Sequence, residues 1–380
     1  MQKIESSINK INRSIVGKEE IKRVIRVLKS GLLSRPAGGL AVREFQELMA
    51  KKFGKKYAYA ANSGTSALHL AISTLGLKEK DEIIIPALAN IADCSVVIQE
   101  HAKPIFADIN SETFNIDPED IKRKITPNTK AIIAVHMYGE PADINSIKAI
   151  AKKNNLVLIE DCAQAAGARY NKQYVGSFGD ISCFSFYQTK HVITGEGGML
   201  LTDSKRWLRI IDSLANNGIK KDNLDAYDYD RLGYNYQMTE IQAALGIAQL
   251  KKLDKLNKIR RQNATIYKEQ LKDTDIAFQG TSIDTENVYF YLTGLLPEHL
   301  VGKRKEFLIK TKKKGLPVKN LYPLPLPMME LFKGKTTDDC PITKNICKRL
   351  FNLYVNPGLS EKDIIKFSNI IKKVYRNLER

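Results

Sequence analysis

Two hydrophobic rhythms alternate along the middle of this chain. Glu82-Ile-Ile-Ile-Pro86, Pro104-Ile-Phe-Ala-Asp-Ile109, Ala131-Ile-Ile-Ala-Val135 and Leu156-Val-Leu-Ile-Glu-Asp-Cys162 are short, nearly unbroken apolar runs. Between them apolar residues return every third or fourth position: through Ile98, over Pro118 to Ile125, and from Asp143 to Lys153. Continuous apolar strands separated by helices predict a mostly parallel sheet covered on both faces. Ligands of such sheets lie beyond the carboxyl ends of the strands. The stretches after Pro86, from His136 to Gly139, from Asp161 to Gln164 and from Ser185 to Lys190 are therefore expected at one edge.

The flanks read as helix, then strand, then helix. Residues 1–34 suggest helices, with Val24, Ile25, Leu28 and Leu32 on one stripe. The segment 34–39 breaks the pattern, and a helix over 42–53 ends at Gly54. A short strand from Tyr57 runs into Asn62-Ser-Gly-Thr65, where a helix starts with Leu68, Ile72 and Leu75 inward. His69, inside that helix, reads as a packing residue. Trp207 to Leu214 reads as helix. Thr239-Glu-Ile-Gln242 is a capping-box pattern opening a long helix with Ala243, Ala244, Ile247, Leu250 and Leu253 inward. Val288 to Thr293 reads as a strand. The last helix has Ser360 as its cap and Ile364, Phe367, Ile371 and Val374 inside. The expected division is a large α/β domain over 1–255 and a smaller α+β domain over 256–380, with the N-terminal helices able to pack on the small one.

Composition narrows the class. The 380 residues, 43% of them hydrophobic, are enough for a large core. Net charge is +18, from 60 Lys and Arg against 42 Asp and Glu. The basic residues are dispersed, and Lys312-Lys-Lys314 and Lys372-Lys373 lie without interleaved aromatics. This favours a soluble enzyme with an anionic substrate over a nucleic-acid binder. Five cysteines without a CxxC pair predict neither a disulfide framework nor a zinc site. There is no signal-peptide pattern and no membrane span, so the reading is cytoplasmic.

One stretch concentrates chemistry. The β-rich run Ile181 to Phe186 ends in a polar turn carrying Lys190, followed by Gly195-Glu-Gly-Gly198 and a second apolar run, Met199 to Thr202. By itself such a lysine is a surface residue of a hairpin turn. Held between buried strands, it would lose its proton readily and serve as a Schiff-base nucleophile. Gly64 and Thr65 at a helix start would cradle an anion, although a plain N-cap explains the same residues. Asp161 closes a buried strand and needs a cationic partner, unless it caps the following helix. With Gln164 and the strand hydroxyl Ser185, these pieces match pyridoxal 5'-phosphate (PLP). Its phosphate needs helix-terminal donors, its ring nitrogen a carboxylate, and its aldehyde a lysine.

The chain resembles the DegT/DnrJ/EryC1/StrS family of PLP-dependent sugar aminotransferases, of the type I aspartate aminotransferase fold, from about Gly31 onward. The resemblance rests on Asn62-Ser-Gly-Thr-Ser-Ala-Leu-His69, Val135-His-Met-Tyr-Gly139, Glu160-Asp-Cys-Ala-Gln164, Gly176-Ser-Phe-Gly-Asp180, Ser185-Phe-Tyr-Gln-Thr-Lys190, Thr194-Gly-Glu-Gly-Gly198 and Gly233-Tyr-Asn-Tyr-Gln-Met-Thr239. It implies that Lys190 carries the Schiff base and shuttles the proton, that Asp161 pairs with the ring nitrogen, and that Gln164 meets the ring hydroxyl. Gly64, Thr65 and Ser185 would hold the phosphate. Asn235 would reach the phosphate in the neighbouring subunit of a homodimer with active sites at its interface. Glutamate is the implied donor, and a keto sugar linked to a nucleotide diphosphate the implied acceptor.

Three positions depart from the pattern. Asn90 stands where the family puts an aromatic against the cofactor ring, Gln237 where it has Arg, and Pro325 where it has His. Members that dehydrate sugars carry His in place of the lysine, and Lys190 argues against that chemistry. The alternatives are other PLP chemistry on a sugar or keto-cyclitol, as in aminohydroxybenzoate synthases, and a non-catalytic regulatory relative.

Overall fold

The computed structural model describes residues 15–34, 38–220, 228–333, 336 and 338–379. The helices expected within residues 1–14, and the break at 35–37, lie outside these. Seven strands form the central sheet: β1 (Tyr57–Ala61), β2 (Glu82–Pro86), β3 (Lys103–Ala107), β4 (Thr129–Val135), β5 (Val157–Asp161), β6 (Ile181–Ser185) and β7 (Gly198–Thr202). Their order is β1-β7-β6-β5-β4-β2-β3. The run β3-β2-β4-β5-β6 is parallel, and β7 is antiparallel to both of its neighbours. The continuous apolar runs are thus explained: β2 is buried at every position, and β4 and β5 at all but one each.

The helices begin where side chains can satisfy their free N–H groups. α1 spans Lys18–Ser30 and α2 Ala41–Phe53. α3 (Gly64–Ser73) is capped by Ser63, whose hydroxyl accepts from the Ser66 amide at 3.0 Å. α4 (Ile91–Gln99) is capped by Asn90, whose side-chain oxygen accepts from the Ala92 amide at 2.9 Å. Then come α5 (Pro118–Lys124), α6 (Ile144–Lys153) and α7 (Lys205–Ala215). α8 (Glu240–Gln270) opens on the Thr239–Gln242 capping box and continues for 31 residues. Ala243, Ile247, Leu250 and Leu253 on α8 pack with α2 and the sheet. Ala264 and Tyr267, further along the same helix, pack in a separate C-terminal cluster.

That cluster surrounds a small antiparallel sheet, β8 (Ala277–Phe278), β9 (Leu292–Leu295) and β10 (Leu350–Leu353). α9 (Arg304–Lys313) and α11 (Glu361–Glu379) cover it, and α10 (Pro341–Arg349) leads into β10. The strand expected over 288–293 begins only at Leu292. Before it, the Val288 and Phe290 amides donate to the Gly139 and Tyr138 carbonyls at 3.1 and 2.7 Å, and Tyr289 turns through φ +50°. These residues bond a loop of the large sheet instead of a neighbouring strand. Gly139, at φ +99°, has no room for a side chain, because a Cβ there would lie 2.7 Å from the Tyr289 nitrogen.

The first apolar stripe is also placed unexpectedly. α1 packs on α8 through Glu20, which is fully buried and takes Lys252 Nζ at 2.6 and 2.7 Å on its two oxygens. Of the expected stripe, Ile25, Leu28 and Leu32 remain exposed in the single chain and Val24 is half-buried; Ile21, beside them, is exposed as well.

Candidate active site

At the carboxyl edge of the sheet, β4, β5 and β6 end side by side, with Val135 opposite Asp161 and Asp161 opposite Cys183. Asp161 is buried, and its Oδ1 accepts from the Ala163 amide at 2.8 Å. Burial pushes its pKa up, while that amide and the positive charge of Lys190 work in the other direction.

Lys190 lies in the loop joining β6 to β7. That loop is stitched by the Phe186 amide to the Gly197 carbonyl, the Gln188 amide to the Gly195 carbonyl, and the Lys190 amide to the Tyr187 carbonyl, at 2.8, 3.0 and 2.8 Å. The ammonium sits 4.4 Å from the centre of the Phe290 ring. Its apolar surroundings lower the pKa to about 8, although Asp161 and Asp93 act to raise it. The site lysine is therefore far closer to neutrality than a surface lysine.

The start of α3 meets the end of β6. A Cβ on Gly64 would lie 2.6 Å from the Ser185 Cβ, so only glycine permits this approach. Ser63 satisfies the third amide of the helix, and those of Gly64 and Thr65 have no partner among the described residues. Two free amides and the Ser185 hydroxyl at a helix N-terminus suit a phosphate.

Gln164 is buried and used at both ends. Its Oε1 accepts from the Tyr138 amide at 3.1 Å, and its Nε2 donates to the Tyr322 hydroxyl at 2.9 Å. Asn90 is exposed, with its side-chain oxygen given to the α4 cap. Asn235 is exposed, and its carbonyl accepts from Asn62 Nδ2 at 3.3 Å. The loop 233–239 thus lies beside the start of α3. Lys190, Asp161, Gln164, Ser185, Gly64 and Thr65 share one end of the sheet, with Asn90 at its rim.

Three features go beyond the sequence-based expectations. His69 does more than pack: its imidazole lies 2.9 Å from Glu100 and 3.0 Å from the Tyr236 hydroxyl. Tyr234 donates to the same carboxylate at 2.8 Å and stacks on Tyr236 with ring centres 4.8 Å apart. Burial opposes the Glu100 charge, but the bonds from His69, Ser73 and Tyr234 prevail and bring its pKa down to about 2. This group fixes the 233–239 loop to α3 and α4. Tyr322, from the C-terminal part, enters the site to meet Gln164. Asp93 on α4 is fully buried beside Asp161. The last two sit where only the fold reveals a neighbour, although a charged residue inside Ile91-Ala-Asp-Cys-Ser-Val-Val97 is a readable signal.

Behind Asp161, Glu160 is fully buried and accepts from the Gly176, Phe178 and Gly179 amides at 2.7, 2.8 and 2.6 Å and from His136 Nε2 at 3.0 Å. His136 Nδ1 accepts from the Ala142 amide at 3.0 Å, which leaves the ring proton on Nε2.

A lysine of lowered basicity, a buried carboxylate and a helix-terminal anion cradle on a mostly parallel sheet define an enzyme of the PLP-dependent type I class. The chain belongs to the DegT/DnrJ/EryC1/StrS aminotransferase family, which it matches over residues 14–373. Its cofactor is PLP. It is 35% identical to the GDP-perosamine synthase of Escherichia coli O157:H7, over 95% of this chain and 97% of that protein. An aminotransferase from Psychrobacter cryohalolentis superposes with a TM-score of 0.89 at 30% identity, covering 96% of this chain and 98% of that one. PseC of Helicobacter pylori, an aminotransferase involved in the biosynthesis of pseudoaminic acid, superposes with a TM-score of 0.91 at 25% identity, covering the same shares. No described helix is long and apolar enough to cross a membrane.

Proposed function

We propose that this aminotransferase carries an amino group from glutamate to the ketone of a nucleotide-linked sugar. The observation that supports it most is the meeting of Lys190, Asp161 and the Gly64–Ser185 cradle at one sheet edge. Bound there, PLP would supply an electron sink for the pair of electrons left when an α-proton departs. Lys190 Nζ would anchor the cofactor and, once released, would carry the proton from the donor α-carbon to the cofactor's C4′ carbon, and its lowered pKa keeps part of it neutral for that task. Asp161 holds the proton on the ring nitrogen. The Gly64 and Thr65 amides and the Ser185 hydroxyl hold the phosphate. Gln164, fixed by Tyr138 and Tyr322, presents its amide to the ring hydroxyl. Asn90 has no aromatic face and leaves that side of the ring open to substrate.

The relatives support the acceptor class, since one makes GDP-perosamine and another serves pseudoaminic acid biosynthesis. The exposed stripe Ile21, Ile25, Leu28 and Leu32 supports a homodimer, in which Asn235 of one subunit reaches the phosphate of the other. Residues 1–255 and 256–380 serve as the large and small domains, and the free cysteines accord with a cytoplasmic protein.

The purified protein loaded with PLP should absorb in the visible, and glutamate alone should shift that band. Lys190→Ala should still take up PLP and lose turnover. Full turnover by Lys190→Ala, or no spectral response to any amino donor, would overturn the proposal.

A further inference from the structure

Asp93 is 0% exposed, and neither of its oxygens accepts a well-formed hydrogen bond among the described residues. It lies in the first turn of α4, and its carboxyl group meets that of Asp161 on β5. Two carboxylates cannot both stay ionised at contact in a buried site, so the pair keeps one proton. Its location follows from the partners. Asp161 has the Ala163 amide at 2.8 Å and feels the charge of Lys190, whereas Asp93 has only the weaker influence of the Asn90 amide and of Lys190. The other groups facing Asp93 are neutral in their ordinary state: Cys94 on its own helix, Cys183 on β6, and Tyr322 from the C-terminal part. Burial and the charge of Asp161 both raise the Asp93 pKa well above its usual value.

We propose that Asp93 is a protonated positioning residue that donates its O–H to Asp161 and thereby holds the Asp161 carboxylate in place for the PLP ring nitrogen. The donor turns an otherwise costly buried acid into a support for the residue beneath the cofactor. Without it, the Asp161 carboxylate keeps the Ala163 amide but loses the second point that fixes its plane.

This rests on the PLP reading, and the two fail differently: if that reading fails, the unaltered enzyme itself binds no PLP. The test uses full-length apoenzyme, infrared spectroscopy and PLP titration followed by visible absorbance. Unaltered apoenzyme at neutral pH should show a protonated-carboxyl stretch that is missing from Asp93→Asn and Asp93→Leu in difference spectra against it, the buried Glu140, whose pKa burial raises to about 7, contributing equally to all three and cancelling. Asp93→Asn keeps an N–H donor toward Asp161, so its PLP Kd should stay within about threefold of the original. Asp93→Leu removes the donor at similar volume, so its PLP Kd should weaken by about tenfold or more, with the pH midpoint of the visible band displaced. If Asp93→Leu does not fold, Asp93→Ala is read in the same way. The proposal is overturned if the difference spectrum between the original and Asp93→Asn shows no lost protonated-carboxyl band. It is equally overturned if the apolar variant binds PLP as tightly as the original, or if Asp93→Asn is as impaired as the apolar variant.

Discussion

Gln164 donates to the hydroxyl of Tyr322 at 2.9 Å, across 158 residues of sequence. The bond ties the loop after β5 to the segment before α10. It also orients the amide expected to meet the cofactor. Tyr322→Phe keeps the ring beside Tyr138 and removes only the hydroxyl. The buried Nε2 is then left without its acceptor, at a cost of about 1–3 kcal/mol. Urea denaturation of the apoenzyme should read that loss, and PLP should bind more weakly. Unchanged stability together with unchanged PLP affinity would show that the bond positions nothing.

Lys190 should set the pH dependence of cofactor capture. Burial favours its neutral amine, so the attacking form gains as pH rises and is nearly complete above a pKa of about 8. The rate at which apoenzyme takes up PLP should climb about tenfold per pH unit at lower pH, then level off near that value. A rate still climbing steeply at pH 10 would mean that the lysine is as basic as one in water.

Glu160 should matter to stability at a definite pH. Burial works against its charge, but His136 and the amides of Gly176 and Gly179 outweigh it and hold the pKa below the ordinary value. A depressed carboxyl pKa contributes stability above the unfolded value of about 4.3, and that stability is lost as pH falls through the folded value. Glu160→Gln should cost about 2–4 kcal/mol at pH 7, because one amide oxygen cannot replace two charged ones. The gap between the two proteins should narrow below pH 4 in denaturation curves. A gap that is the same at pH 7 and pH 3.5 would remove the charge from the explanation.

The shared-site dimer can be tested by mixing Lys190→Ala with a variant carrying a bulky residue at Asn235, each inactive alone. Random exchange makes about half the dimers hybrids, each with one of two sites intact, so activity should return toward about a quarter. If exchange is demonstrated and no activity returns, Asn235 serves its own subunit.

Legibility followed locality. Asp161 and Gly64 sit at a strand end and a helix start, and Lys190 in the polar turn between two apolar runs, where the hydrophobic rhythm itself breaks, so the pattern of the chain marks each of them. The parallel sheet is legible for the same reason, because buried strands such as Ile83 to Ile85 need no polar alternation. Asp93 is hidden because an acid in the first turn of a helix reads as a partner for the helix dipole. Only the packing of α4 against β5 gives it Asp161 as a neighbour. Tyr322 and Glu100 act through residues far away in sequence. Val288 to Tyr291 mislead by β-forming composition, since the amides there are claimed by Tyr138 and Gly139. The stripe on α1 is real but faces outward, since Glu20 takes the inner position.

α8 runs unbroken through both hydrophobic clusters, about 46 Å at the usual rise per residue. A helix of that length acts as a beam clamped at both ends. A hinge motion between the sheet and the C-terminal cluster would have to bend that beam or shear one of its clamps. Slow, wide opening is therefore mechanically disfavoured, and substrates should enter by movement of the surrounding loops. The same beam couples unfolding, so heat or denaturant should melt the two clusters in one transition.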